Sequence, residues 1–379
     1  MKSLLLLILL EFFMTKNAAS IKSNGRKLRR FTFKDDPKVK TARPVIGILT
    51  QEVSGNREIF GYGQYVASSY VKLIEEAGAR VAPILMDQTP DDIEKLFYSI
   101  NGLLLPGGQS MLNASRYMTV GKQLVELAIK SNQEGKVFPV WAECLGFELI
   151  TIVVTRVDPK QGGQYNPELF TATNATNYTT TLQFHNIKKS QIFSKMPKEY
   201  IQFMEQVPFS YNNHLVGMNS KTFNRYEPLK EMFRITSTSR DRNGREYISS
   251  MEGKEYPFFV WHWHPSKPQY EWLSNLNIFH SMYSTRVIQW LIDFFMDNAV
   301  QNDHKFPSKQ VEDNALIYKH PLLYTERLGS AMTEYHFINR IPYKTQFALG
   351  EQVYVKAGKD PEKGEARLKE IIRMGKGRQ

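Results

Sequence analysis

The chain has 379 residues, 42% hydrophobic and 23% charged, enough to bury a full core in one large domain or two ordinary ones. With 23 glycines and 18 prolines it is neither collagen-like nor of low complexity, and its single cysteine, Cys144, excludes an intrachain disulfide and any multi-cysteine zinc site. A net charge of +11 admits an acidic partner without choosing among nucleic acid, anionic lipid and a polyanionic substrate.

Lys2, an apolar run from Leu4 to Met14 interrupted by Glu11, and the small residues Ala18, Ala19 and Ser20 read as a signal peptide over residues 1–20. The run is shorter than the ~20 residues that cross a bilayer, which argues against a membrane anchor. Residues 21–42 are polar and basic, with RKLRR from Arg26 to Arg30, and read as a leader without helical or strand period. Secretion gives meaning to glycosylation sequons at Asn113, Asn174 and Asn177, and predicts a glycoprotein that is secreted or held in a lysosomal or vacuolar lumen.

The folded body is expected over residues 43–300. Val45 to Leu49 (VIGIL) has the continuous apolar character of a strand buried on both faces. Tyr65 to Ala77 has helical spacing and stops at Gly78. Val81 to Leu85 reads as a second strand, Thr89-Pro90 as the cap and first turn of a helix to Ile100, and Leu103 to Leu105 as a third strand ending at Pro106-Gly107-Gly108. Val137 to Trp141 reads as a fourth strand running into Cys144. The alternation predicts an α/β domain with a mainly parallel central sheet flanked by helices, its ligands at the carboxyl ends of the strands. Beyond Thr155 the pattern is strand-rich and polar, through Thr179 to Phe184 and Tyr247 to Met251, until Phe258 to Trp263 gives another buried strand and Thr285 to Asn298 a closing helix. Residues 301–379 read as a C-terminal extension whose order the pattern leaves open.

Cys144 stands between the apolar run VFPVW and a helix-compatible run. A lone cysteine commonly packs as a small hydrophobe. At a strand-to-helix turn, however, its sulfur meets the positive end of a helix, which is expected to stabilise a thiolate, and the Leu145 amide is placed for an oxyanion. Gly107-Gly108, ending a neighbouring strand, can bring a second backbone donor close. His264, in Trp261-His262-Trp263-His264-Pro265, ends a buried strand and is the candidate base. His262 shares its face by the two-residue period, but no third ligand lies at metal spacing. His185 and His214 are isolated, and by default each is structural. Gly61-Tyr62-Gly63 lacks the third glycine of a dinucleotide fingerprint, and the basic stretches flank the body without interleaved aromatics, which argues against nucleic acid.

The runs Arg43-Pro44-Val45-Ile46-Gly47-Ile48-Leu49, Leu105-Pro106-Gly107-Gly108, Cys144-Leu145-Gly146-Phe147-Glu148, Ser250-Met251-Glu252-Gly253 and Trp263-His264-Pro265, in this order, resemble the gamma-glutamyl hydrolase family of the class I glutamine amidotransferase-like superfamily. The resemblance implies a flavodoxin-like architecture. It also implies cleavage of gamma-linked glutamates from folylpoly-gamma-glutamates by a cysteine nucleophile and a histidine base, without metal or cofactor, in a protein that can form a homodimer. Residue by residue it implies Cys144 as nucleophile, His264 and His214 as active-site histidines, and Gly107, Gly108 and Leu145 around the oxyanion. Glu148 is implied near the substrate and, more loosely, Tyr62 in its pocket. Two positions depart from the family pattern. Ala142 replaces the first glycine of Gly-x-Cys-x-Gly, which predicts strain if that backbone needs a positive φ, and Glu143 next to the thiol is expected to oppose thiolate formation. Ser266 replaces the glutamate that follows Trp-His-Pro and orients the histidine. Together these set a second expectation, a homologue that binds such substrates and cleaves them slowly or not at all.

Overall fold

Side chains alternate across a strand, and β1 (Val45–Leu49) shows what that does here: Val45 and Leu49 enter one hydrophobic cluster, Ile46 and Ile48 the other. The run is apolar at every position because both faces of the sheet are covered. The computed structural model describes residues 38–54, 63–113, 115–158, 166–328 and 331–338. The signal-peptide region, most of the leader, Tyr62 and the basic end of the chain lie outside the described residues.

After β1 come β2 (Gln51–Glu52), β3 (Gly63–Ala67), α1 (Ser68–Glu76), β4 (Arg80–Ile84), α2 (Pro90–Phe97), β5 (Gly102–Leu105), α3 (Arg116–Gln133), β6 (Val140–Glu143) and α4 (Leu145–Thr155). The polar second half gives β7 (Thr171–Thr180), β8 (Gln183–Phe184), α5 (Lys198–Gln206), β9 (Ser210–Gly217), α6 (Ser220–Phe223), α7 (Glu227–Met232), β10 (Phe233–Arg240), β11 (Glu246–Gly253) and β12 (Phe258–Trp261). Eight strands form the central sheet in the order β4-β1-β5-β6-β12-β11-β10-β8, parallel from β4 to β12 and antiparallel beyond. β7 and β9 pair as a separate antiparallel ribbon. One cluster packs α2, α3 and α4 on the sheet through Phe97, Leu124 and Leu149; the other packs α1 and the long α8 (Met282–Ala299) through Ile74, Leu291 and Phe295.

Local chemistry accounts for several ends. Thr89 Oγ1 accepts from Asp92 N–H at 3.2 Å, Pro90 occupies the first turn of α2, and Asp91 and Asp92 complement its positive end. α1 stops where Gly78 takes φ 83°. No helix among the described residues is long and apolar enough to cross a membrane.

Other boundaries differ from the sequence reading. Tyr65 to Ala77 is not one helix, because its first residues belong to β3. Their partner is distant: past α9 (Lys309–Ala315) and β13 (Leu322–Tyr324), β14 (Thr333–Ile338) lies antiparallel to β3, giving the sheet β13-β14-β3-β2. Ser68 Oγ and Thr333 Oγ1, 265 positions apart, meet at 2.5 Å. β6 begins after Pro139, which has no amide to donate, and reaches Glu143 because β12 pairs with it that far. β12 ends at Trp261, two residues short of the expected Trp263, since His264 N–H turns to Tyr211 O on β9 at 2.8 Å. α3, absent from the sequence reading, starts at Ser115, whose Oγ accepts from Met118 N–H at 3.2 Å.

Candidate active site

β6 delivers the chain to Cys144 at the carboxyl edge of the sheet, where φ is 50° and ψ −104°. Such a backbone costs on the order of 1–3 kcal/mol and persists only where its surroundings hold it. Cys144 N–H donates to Trp261 O at 2.8 Å and Glu148 N–H to Cys144 O at 3.1 Å, which pins the residue between β12 and the first turn of α4. Gly146 lets that turn sit against β5, since a Cβ there would lie 2.3 Å from Leu105 O. The positive φ belongs to Cys144 and not to Ala142, which stays in the β6 ladder beside Leu105 and Val260 with its methyl in the core. The strain expected at Ala142 is therefore not there.

The loop after β5 lies over the thiol. Tyr117 Oη donates to Pro106 O at 2.7 Å, and Gly107 N–H donates to Tyr70 Oη at 2.9 Å. A Cβ on Gly107 would stand 2.7 Å from His264 Cε1 and 3.1 Å from Cys144 Cβ, so nucleophile and imidazole converge beneath a residue without a side chain. Gly108 rests against the Gln51 amide, whose Oε1 accepts from Ser110 Oγ at 2.8 Å. Of the expected oxyanion donors, Leu145 N–H faces the sulfur while Gly107 N–H is already engaged by Tyr70.

His264 Nδ1 lies 3.7 Å from Glu143 Oε2. Ser266 Oγ donates to the same oxygen at 2.8 Å, and Oε1 accepts from Trp141 Nε1–H at 2.9 Å and from Ser266 N–H at 3.2 Å. Glu143 and Ser266 are wholly buried. Glu143 thus turns toward the histidine, a contact that reading by motif does not give. The signal was a carboxylate on a strand face shared with Trp141, which had to find donors once buried.

Burial pushes the Cys144 thiol up; Glu148 and Glu143 add to this, and the Leu145 N–H and Lys267 oppose it. Glu148 is itself raised to about 8 by burial, so near neutral pH it is mostly protonated and repels a thiolate weakly. Burial likewise lowers the His264 pKa, with Lys267 acting in the same sense and Glu143 against it. A helix terminus contributes up to ~2 kcal/mol, whereas full burial shifts a group by as much as 3–5 pKa units, ~1.4 kcal/mol each. Desolvation therefore opposes charge on both the thiol and the imidazole, against the helix terminus that favours a thiolate.

His262 is stacked between Phe147 (4.6 Å, 9° interplanar) and His214 (3.8 Å, 12°), with Glu148 Oε1 3.8 Å from its Nε2. Burial, then His264, lowers its pKa to about 3. Both His214 ring nitrogens have partners, Thr173 Oγ1 at 3.1 Å and Asn212 Oδ1 at 3.3 Å, so His264 is the ring brought to the thiol and His214 stands in the stack behind. His185 bonds Thr238 Oγ1 at 2.8 Å. Lys267 is buried, its Nζ 3.3 Å from Ser69 Oγ and 3.4 Å from Glu271 Oε2; Glu271 Oε1 in turn accepts from Met332 N–H at 2.7 Å, tying the histidine loop to the segment that leads into β14. Among the described residues no group of three or more His, Cys, Asp or Glu is arranged to hold a metal ion. Asn174 is exposed on β7, Asn113 precedes α3, and Asn177 donates from Nδ2 to Asn275 O at 3.0 Å.

The Peptidase C26 family matches residues 44–266. The chain is 38% identical over 296 residues to the Gamma-glutamyl hydrolase of Rattus norvegicus, spanning 78% of this chain and 90% of that one, and 38% identical over 298 residues to the Homo sapiens protein of the same name, with the same coverage. It is 34% identical over 284 residues to Gamma-glutamyl hydrolase B of Dictyostelium discoideum, 74% of this chain and 79% of that one. Among solved structures it is similar to the glutaminase domain of Trypanosoma brucei CTPS with bound acivicin, at a TM-score of 0.45 and 14% identity over 70% of this chain and 98% of that one.

Proposed function

The chain belongs to the Peptidase C26 family, the gamma-glutamyl hydrolases, and from that premise we propose that it hydrolyses γ-glutamyl amide bonds of folylpoly-gamma-glutamates through Cys144. The observation that carries this reading is the convergence of Cys144 and His264 beneath Gly107. The sulfur adds to the γ-carbonyl carbon as its proton passes to His264 Nε2, and the carbonyl oxygen gains negative charge beside the Leu145 N–H. Collapse breaks the C–N bond, His264 returns the proton to the leaving amine, and a thioester remains. Water then gives a proton to His264 and attacks the thioester; the C–S bond breaks, the sulfur regains that proton, and the γ-carboxylic acid is released and gives its own proton to solvent. Burial, which disfavours charge on both groups, keeps the imidazole available as a base for the thiol proton. The two departures from the family pattern do not favour an inactive binder: Ala142 has ordinary strand geometry, and Ser266 is bonded to a carboxylate.

The substrate is a polyanion, which accords with a net charge of +11. The N-terminal segment and the sequons at Asn113, Asn174 and Asn177 support a glycoprotein of the secretory or lysosomal lumen, and the family resemblance supports a homodimer. In the deciding experiment, protein from eukaryotic cells is incubated with methotrexate pentaglutamate and released glutamate is measured, with Cys144→Ala expected to lower kcat by on the order of 1000-fold or more. The same preparation should lose apparent mass on treatment with a peptide N-glycosidase and behave as a dimer in light scattering. A wild type that releases no glutamate, or a Cys144→Ala variant as fast as wild type, would sink the catalytic reading; an unchanged band would sink the luminal one.

A further inference from the structure

We propose that Glu143 is the positioning carboxylate of His264, so that the strand carrying the nucleophile also supplies the partner of its base, with Ser266 and Trp141 holding that carboxylate in place. The proposal rests on the assignment of His264 as base and adds a residue to it.

Each protein contact of the Glu143 carboxyl comes from a group that donates to it. Trp141 Nε1 and the Ser266 amide have no acceptor to offer, and the Ser266 hydroxyl donates as well. Two obligate donors on Oε1 and a hydroxyl donating to Oε2 are the setting in which a carboxylate is held by its acceptor lone pairs. Oε2 keeps lone-pair capacity on the side where His264 Nδ1 lies 3.7 Å away, just beyond hydrogen-bond length. Nδ1 itself has no other partner among the described residues. A small rotation of either side chain closes the gap, puts the ring proton on Nδ1 and leaves Nε2 with a free lone pair, the tautomer that can take the thiol proton.

The other groups around the ring do not supply this. His264 N–H is held by Tyr211 O, and the Tyr211 ring lies 5.9 Å from the imidazole, offering an aromatic edge or face and no charge. Lys267 is a cation and opposes protonation, and the imidazoles of His262 and His214 do not carry negative charge. Glu143 is therefore the anion that meets the imidazolium formed during each proton transfer. Ser266, whose short side chain leaves room for that carboxylate, bonds it instead of competing with it.

The arrangement makes a non-additive outcome the test. Glu143→Gln keeps the shape and retains an oxygen for Trp141 and Ser266, and should lower kcat by on the order of 100- to 10,000-fold with KM nearly unchanged. Ser266→Glu alone should also lower kcat, because it forces a second carboxylate against the first in a buried site. Ser266→Glu placed in the Glu143→Gln background should instead raise kcat at least about tenfold, by returning one carboxylate to the same spot. A packing role for Glu143 would not reverse the sign of the Ser266 substitution. Independently of any substrate, the His264 ring titrated by NMR should lose protons at lower pH in Glu143→Gln than in wild type. If that shift appears while wild type hydrolyses no γ-glutamyl bond, the functional reading fails while the pairing of Glu143 with His264 stands. If wild type is active and Glu143→Gln keeps its kcat within about twofold with an unmoved His264 titration, the proposal is overturned. Should Glu143→Gln not fold, Ser266→Ala decides: a severalfold lower kcat with a shifted His264 titration supports the role, and no change in either refutes it.

Discussion

Glu148, one turn into α4, gives the molecule a stability that depends on pH in an unusual direction for a carboxyl group. Burial raises its pKa from 4.5 to about 8, so the folded protein keeps a proton that the unfolded chain releases across that interval. The folded state binds more protons there, and stability falls as pH rises from about 4.5 to about 8, then levels off. Glu148→Gln abolishes that ionisation and should flatten the slope: thermal melts are expected to gain more on substitution at pH 8 than at pH 5. Equal gains at both values would mean that Glu148 is not held protonated. At this scale the meeting of Cys144, His264 and Gly107 was legible, because each belongs to a residue type that a local motif announces. Glu143 was legible only as a charge beside a thiol. Its direction depends on Ser266, 123 positions away, and on where β12 releases the chain, neither of which a neighbouring residue encodes.

The turn from β6 into α4 works as an element because two backbones approach within contact of each other. Gly146→Ala would set a methyl 2.3 Å from Leu105 O, against backbone with little freedom to give. An overpacked core position costs typically ~1–3 kcal/mol, and here the strain falls on the residue after the Leu145 amide. The variant is expected to melt lower and to lose kcat more than KM, whereas unchanged melting and kinetics would show that α4 can lift off β5 without consequence. Elements whose signal is local were readable: VIGIL as a strand buried on both faces, Thr89-Pro90 as a helix start, Gly78 as a helix end. β3 was not. Tyr65, Val66 and Ala67 fit a helical period as well as a strand, and only the ladder to β14 separates the two. α3 carried a readable signal, with Ser115 at its start and Tyr117, Val120, Leu124 and Ala128 buried at helical spacing.

Across the whole molecule, the alternation of strands and helices predicted the parallel half of the sheet, and the weaker pattern beyond Thr155 predicted strands without their order. What no local pattern carried is that β3 and β14 lie in one sheet, with Met332 bonded to the glutamate beside Lys267. A truncated chain ending at Tyr324 has Cys144, Glu143 and His264 but lacks the strand against β3 and the contact to Glu271. A misplacement of ~1 Å at a catalytic group costs on the order of 100-fold, and a loss of that size in kcat/KM is expected for the truncation; wild-type rates would show that β14 is dispensable. Synthesis proceeds from the amino terminus, so the ribosome makes the nucleophile long before the strand that steadies its surroundings. While the chain is still being made it carries Cys144, Glu143 and His264 before β14 exists to pair with β3.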